Sequence, residues 1–140
     1  MLTASKKVDY GILLMASLPE PGTEEFRSLQ EVAAEKHLSA GFLGQVAMPL
    51  KKAGLLQSRE GVHGGYQLTR MGAEITLSEI YEALEGPIAL TNCQNVDKAC
   101  VCEKNCPTRG VWDDLKNVIS TYLQGKTLAD FRHPSPLVHG

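Results

Sequence analysis

Apolar positions recur with a helical period along most of this chain and give way to strand-like runs in one place. Val8, Ile12 and Met15 fall on one helix face, and Pro19, Pro21 and Gly22 end that helix. Ser28-Leu-Gln-Glu31 opens a second helix with the pattern of a capping box, in which the hydroxyl and the carboxylate each satisfy an amide at the helix start. Leu29, Val32 and Ala33 are its short apolar stripe. After the sharp connection KHLS a third helix starts at Ser39, with Leu43, Val46, Ala47 and Leu50 on one face and Gly54 as its stop. Pro49 lies late in this helix and is expected to kink it or loosen its hydrogen bonding.

Two short helices joined by a tight turn fit an ordinary helical pair as well as a helix-turn-helix. The next segment separates these readings. In LLQSREGVHGGYQLT, Leu55 to Arg59 and Tyr66 to Thr69 read as strands around a turn containing Gly61, Gly64 and Gly65. A two-stranded ribbon directly after such a pair makes a winged helix. A fourth helix opens on a second capping box, Thr76-Leu-Ser-Glu79, carries Leu77, Ile80, Tyr81 and Leu84, and stops at Gly86-Pro87. Further on, Val111, Leu115, Val118 and Tyr122, with Trp112, Ile119 and Leu123 beside them, define a long helix ended by Gly125. A stripe this broad either packs on its own domain or supplies a dimer contact. The expected fold is mostly α with a small β-ribbon. A winged helix-turn-helix occupies 1–86, a cysteine-rich loop 87–107, a dimerisation helix with a C-terminal extension 108–131, and a flexible tail 132–140.

Composition narrows the class. With 140 residues, 43 % of them hydrophobic, the chain can bury one core. Its net charge of −2 does not advertise a nucleic-acid binder, but the charge is segregated. Between His37 and Ala73, Lys51, Lys52, Arg59 and Arg70 stand against Glu60 alone, and Glu74, Glu79, Glu82 and Glu85 follow at once. Such clustering is what an electrostatic footprint on DNA requires. The early apolar run GILLMASL copies a signal peptide poorly, since Asp9 interrupts its approach and no small-x-small cleavage site follows. No apolar stretch reaches the roughly 20 residues that span a bilayer. The expectation is a cytoplasmic protein with no membrane partner.

All four cysteines, Cys93, Cys100, Cys102 and Cys106, lie in the polar segment TNCQNVDKACVCEKNCPTRG, broken by Pro107 and Gly110. Packing does not call for thiols there. In a reducing compartment a tight cluster serves metal binding or redox sensing more often than structural disulfides. Four thiolates suit an iron–sulfur cluster or a tetrahedral zinc, although only Cys102 and Cys106 have the spacing of a zinc knuckle. A metal-free thiol switch is a third possibility. No nucleophile–base pair, phosphate-binding glycine loop or dinucleotide fingerprint occurs, so an enzyme is not expected. A small iron–sulfur redox protein would account for the loop and leave the wing without a purpose.

With Leu43, Val46, Ala47 and Leu50 turned to the core, the outer face of the third helix presents Gly41, Gly44, Gln45, Met48 and Lys52. Gln45 is placed to bond an adenine edge bidentately in the major groove of a double-stranded operator, while Ser39, Lys51 and Lys52 go mainly to phosphates. Arg59 and His63 are candidates for an adjacent minor groove.

The order of helix, SLQEVAAEKHLS, GFLGQVAMPLKKAGLL, SREGVHGGYQLT, ITLSEIYEALEG, cysteine loop and long helix resembles the Rrf2 family of winged-helix transcription regulators from Ser5 to Phe131. The most specific part is LKKAGLL running into the wing, which is similar to the family's Arg-Gly-x-x-Gly-Gly-Tyr pattern with Glu60 preceding Gly61. The resemblance implies a homodimer on DNA. In members with cysteines at this position it also implies an iron–sulfur cluster, 2Fe–2S or 4Fe–4S, that senses iron, cluster supply, nitric oxide or redox state. Such members commonly carry three cysteines about five residues apart. Here the intervening gaps are six, one and three residues. Cys93, Cys100 and Cys106 fit that trio with one residue inserted, leaving Cys102 supernumerary, and the Cys100/Cys102 choice stays open. Where some members place a histidine ligand this chain has Arg109, which cannot coordinate iron. Another variant takes its last ligand from an acid on the partner's first helix, and Asp9 holds that position.

Overall fold

A computed structural model of the chain describes residues 5–91, 94 and 107–132. Its elements run α1 (Lys6–Ala16), α2 (Leu29–Lys36), α3 (Ala40–Lys52), β1 (Leu56–Arg59), β2 (Gly65–Leu68), a 3-10 turn (Gly72–Glu74), α4 (Leu77–Glu85), α5 (Arg109–Gly125) and α6 (Leu128–Arg132). The helix starts are set by hydroxyls. Ser5, Ser28 and Ser39 accept from the backbone amides of Val8, Glu31 and Phe42, each satisfying one orphan donor of the first turn. Thr76 and Glu79 form a complete capping box on α4. The box expected at Ser28 is only half formed, because the Glu31 carboxylate turns to Arg27, 3.8 Å away, and not back to the cap.

The turn between α2 and α3 places His37 at φ 56°, the one non-glycine residue in the left-handed region among those described. Leu38 donates to the Ala33 carbonyl at 2.9 Å, which closes the end of α2 and swings the chain into α3. The core is then assembled from Leu14, Met15, Val32, Leu43, Val46, Leu50, Leu68, Ile75, Ile80 and Leu128, all fully buried. At about 1.5–3 kcal/mol per buried aliphatic side chain, this cluster is the main favourable term holding the head together. Ala47 is buried beside these residues, so all four apolar residues expected on the inner face of α3 face the core, and α3 continues through Pro49 to Lys52 with Gly54 at φ 81° beyond its end. In α1 the buried face is Val8, Gly11, Leu14 and Met15, rotated from the expected one, so Ile12 is only half-buried. The rotation follows from Gly11, where a Cβ would come within 2.6 Å of Leu84 Cδ1. Without a side chain there, α1 and α4 close on one another.

β1 and β2 pair antiparallel, with Leu56 opposite Leu68 and Arg59 opposite Gly65. The segment before α2 joins them edgewise: Tyr66 donates to the Arg27 carbonyl at 2.7 Å and Arg27 to that of Tyr66 at 3.0 Å. This close approach requires Gly65, at φ 149°, whose Cβ would lie 2.3 Å from Arg27 backbone atoms. Gln67, a buried amide, donates to the Thr23 and Glu25 carbonyls and accepts from Gln57. The wing is thereby tied to the body by a polar contact that leaves no buried group unpaired.

Beyond the head, α5 packs on α4 yet has no buried residue, and Val111, Val118 and Tyr122 are 69 %, 65 % and 62 % exposed. α6, which periodicity did not reveal, returns to the head and buries Leu128 completely. Arg132, expected to begin a flexible tail, ends this helix. Its guanidinium donates to the Leu18 and Ala16 carbonyls at the end of α1 and pairs with Glu20 at 2.6 Å. A cation over the C-terminus of α1 is favoured by the helix dipole as well as by these bonds. Residues 133–140 of the expected tail lie outside the described residues.

Glu79 carries a pH consequence. Partial burial pushes its carboxyl up, but bonds from the Thr76 amide and hydroxyl and the Arg70 guanidinium at 2.7 Å outweigh that and hold it below its usual 4.5. A depressed folded value means that its stabilisation is present above the unfolded value and is lost as pH falls through the folded one. Glu79→Gln is therefore expected to lower the melting temperature at pH 7 and to have a shrinking effect below pH 4.5, which thermal denaturation at several pH values would measure. An equal effect at all pH values would contradict the assignment.

Candidate functional site: the open face of α3, the wing and the cysteine loop

Of the side chains expected to meet DNA, those of α3 lie together on its exposed surface. Gln45, Met48, Lys51 and Lys52 are exposed on α3, with the exposed Ser39 at its start. The Gln45 amide forms no hydrogen bond among the described residues, so its donor and acceptor are both available to a base edge. Ser39 Oγ is engaged as an acceptor at 3.3 Å, which leaves its proton for a phosphate oxygen. Lys51 Nζ donates to Ser58 Oγ at 2.6 Å, linking the end of α3 to the wing, while Lys52 points into solvent.

Arg59 is not free. Its guanidinium lies 4.2 Å over the Phe26 ring and donates to the Glu24 and His63 carbonyls at 2.9 and 3.0 Å. A cation–π contact and two backbone bonds make it a brace between the wing and the 23–27 segment. To enter a minor groove it must leave these partners, a competition that the sequence pattern did not reveal. His63 is exposed at the turn of the wing beside Val62, which is 96 % exposed.

Asp9 is exposed in the first turn of α1. It lines an open groove of about 480 Å³ with Ile12, Phe131, Arg27, Glu35 and Arg132. The cations there are taken: Arg27 binds Glu35 and holds its carboxyl below the ordinary range, and Arg132 binds Glu20. Asp9 has no ion pair among the described residues. Cys93, Cys100, Cys102 and Cys106 lie outside the described residues, and among those described no group of three potential metal donors occurs. A resident metal would therefore have to draw its donors mainly from the cysteine loop. Soft thiol donors, with a hard carboxylate available on another element, suit the chemistry of an iron–sulfur cluster with one differently ligated iron.

A tight helix pair whose second member has an open polar face, followed by a wing braced to the body, defines a winged-helix DNA-binding transcription regulator. Residues 4–134 match the family model for Rrf2, described as an iron-dependent transcriptional regulator. The chain belongs to the Rrf2 family. It is similar to the solved CymR of Bacillus subtilis, described as the global cysteine regulator, with a TM-score of 0.78 and 32 % identity over 96 % of this chain and 99 % of that one. It is likewise similar to the IscR structure from T. potens, with a TM-score of 0.73 and 30 % identity over 99 % of this chain and 93 % of the other. Protein rrf2 of Nitratidesulfovibrio vulgaris is 29 % identical over 128 residues, 91 % of this chain and 85 % of that protein. The fold and the family are those expected from the sequence, and the chain is a regulator, not an enzyme. Among the described residues no helix is long and apolar enough to cross a membrane.

Proposed function

We propose that this chain acts as a homodimer on an operator, and that an iron–sulfur cluster held by the loop thiolates controls its affinity for that operator. The carrying observation is placement in sequence: all four cysteines fall between the reading head and the helix with the uncovered apolar stripe. The four ligands are Cys93, Cys106 and one of Cys100 and Cys102, with Asp9 of the second protomer as the fourth; the other set that the loop supplies is all four cysteines. Such a cluster supplies an oxidisable and labile centre, and a carboxylate ligand leaves one iron easier to lose than an all-thiolate set does. Ligand state shifts DNA binding only as far as it stabilises one arrangement of the two heads over the other. Two heads separated by about one helical turn of DNA match a pair of half-sites.

On the DNA side, Gln45 reads an adenine, Ser39, Lys51 and Lys52 hold phosphates, and Arg59 and His63 reach the minor groove once Arg59 leaves Phe26. Gln45→Ala is expected to cost about 1–3 kcal/mol per half-site, a loss of roughly five- to 150-fold for each, and to erase the preference at one position. Lys52→Ala is expected to weaken all duplexes alike and lower the salt slope by about one. Fluorescence-anisotropy titrations over a salt series measure both. Binding that ignores salt and sequence would contradict this reading.

A second reading keeps the regulator and replaces the cluster with zinc or with metal-free thiols. The Cys102-x3-Cys106 spacing favours it. Acid-labile sulfide distinguishes the two, since neither zinc nor free thiols release any.

A further inference from the structure

We propose that Met48 is a second base-reading residue, contacting the C5-methyl group of a thymine one or two base pairs from the adenine read by Gln45. This rests on the reading of α3 given above. Met48 is 72 % exposed in the middle of a well-packed head, so its thioether does nothing for the core. It follows Gln45 by three residues and Gly44 by four, which puts it on the same face of α3 one turn further along.

That face is unusually low. A Cβ on Gly44 would find only Leu29 Cδ1 at 3.9 Å, and one on Gly41 only Ser39 Oγ at 3.7 Å, both ordinary contacts. Packing within the chain therefore does not demand glycine at either position. Their missing side chains let the helix axis approach base edges, and Gln45 and Met48 are then the side chains that project farthest from this stretch. Beside Met48 a shallow recess of about 670 Å³ runs toward the wing, lined by Pro49, Tyr66 and the two lysines. Lys51 is drawn aside to Ser58, so the apolar floor stays open between cations suited to phosphates.

The occupant follows from chemistry. Among the groups that bases present in the major groove, the thymine methyl is the apolar one. Three residues of helix rise about 4.5 Å, and a base pair about 3.4 Å, which sets the separation of one to two pairs from the Gln45 contact. A long, unbranched thioether can follow a methyl over that range.

The test uses the full chain and a duplex chosen from a random pool by in vitro selection. Each thymine of a half-site is replaced in turn by deoxyuridine, which removes only the methyl, and wild type, Met48→Ala and Gln45→Ala are titrated on every duplex. For wild type one replacement within two base pairs of the Gln45-dependent adenine should weaken binding about fourfold, the value of one methyl withdrawn from an apolar contact. Met48→Ala, a change that favours the helix, should lose that discrimination and keep the preference at the adenine. Equal binding of thymine and uracil duplexes by wild type overturns the proposal. So does a Met48→Ala protein that still discriminates. If Gln45→Ala alters no position, or no duplex is selected, the reading of α3 fails as well, and the two failures are thereby told apart.

Discussion

Glutamate at positions 118 and 122 is expected to leave the head folded and to weaken operator binding roughly 10²–10⁴-fold, the range over which linking two binding modules acts. Val118 and Tyr122 are 65 % and 62 % exposed on α5, so neither substitution removes a core contact of the chain itself. With Val111 they form an exposed apolar strip along a helix that packs on α4. If a second copy covers this strip, two carboxylates buried there cannot be paired, and the dimer comes apart. A single head then binds a half-site alone and loses the second, intramolecular contact. Light scattering should report a monomer at concentrations where the parent chain is a dimer. Unchanged mass and unchanged operator affinity would show that the strip is an ordinary surface.

The second large effect concerns the loop. Serine in place of Cys93 and Cys106 is expected to abolish cluster binding, keep the helical signal in circular dichroism, and fix operator affinity at the value of cluster-free protein. The fold should survive because the core is closed by α1–α4, the ribbon and α6. Coupling between a ligand and a distant site typically spans about five- to 150-fold, and that is the interval the variant should no longer cross. A variant that simply unfolds would identify a structural metal, as in small zinc domains. Replacing Asp9 by alanine should act more mildly, speeding loss of iron while the thiolates remain.

The head was open to sequence reasoning because its determinants are local. Ser39 and Thr76 start helices by bonding amides three residues ahead, Leu43, Val46, Ala47 and Leu50 repeat with the helical period, and Gly61 to Gly65 form one turn. What stayed hidden depends on partners far along the chain. The true face of α1 is set by Leu84 against Gly11, and the last helix by Arg132 reaching back to carbonyls at the end of α1. Arg59 has the chemistry of a groove-reading residue, and nothing local to it announces Phe26 and Glu24 as rival partners. Met48 looked like one more residue of the outer face until its exposure beside two unneeded glycines became visible. The thiols were the clearest chemical signal of the sequence, and Asp9 is exposed on α1 without an ion pair among the described residues.

Operator affinity of protein purified without oxygen, titrated before and after the cluster is stripped and set beside iron and acid-labile sulfide content, tests the central claim most directly. The account predicts coloured, sulfide-bearing protein whose affinity for its selected duplex changes at least severalfold on stripping and returns on reconstitution. Colourless, sulfide-free protein after reconstitution, or the same affinity in both states, would contradict it.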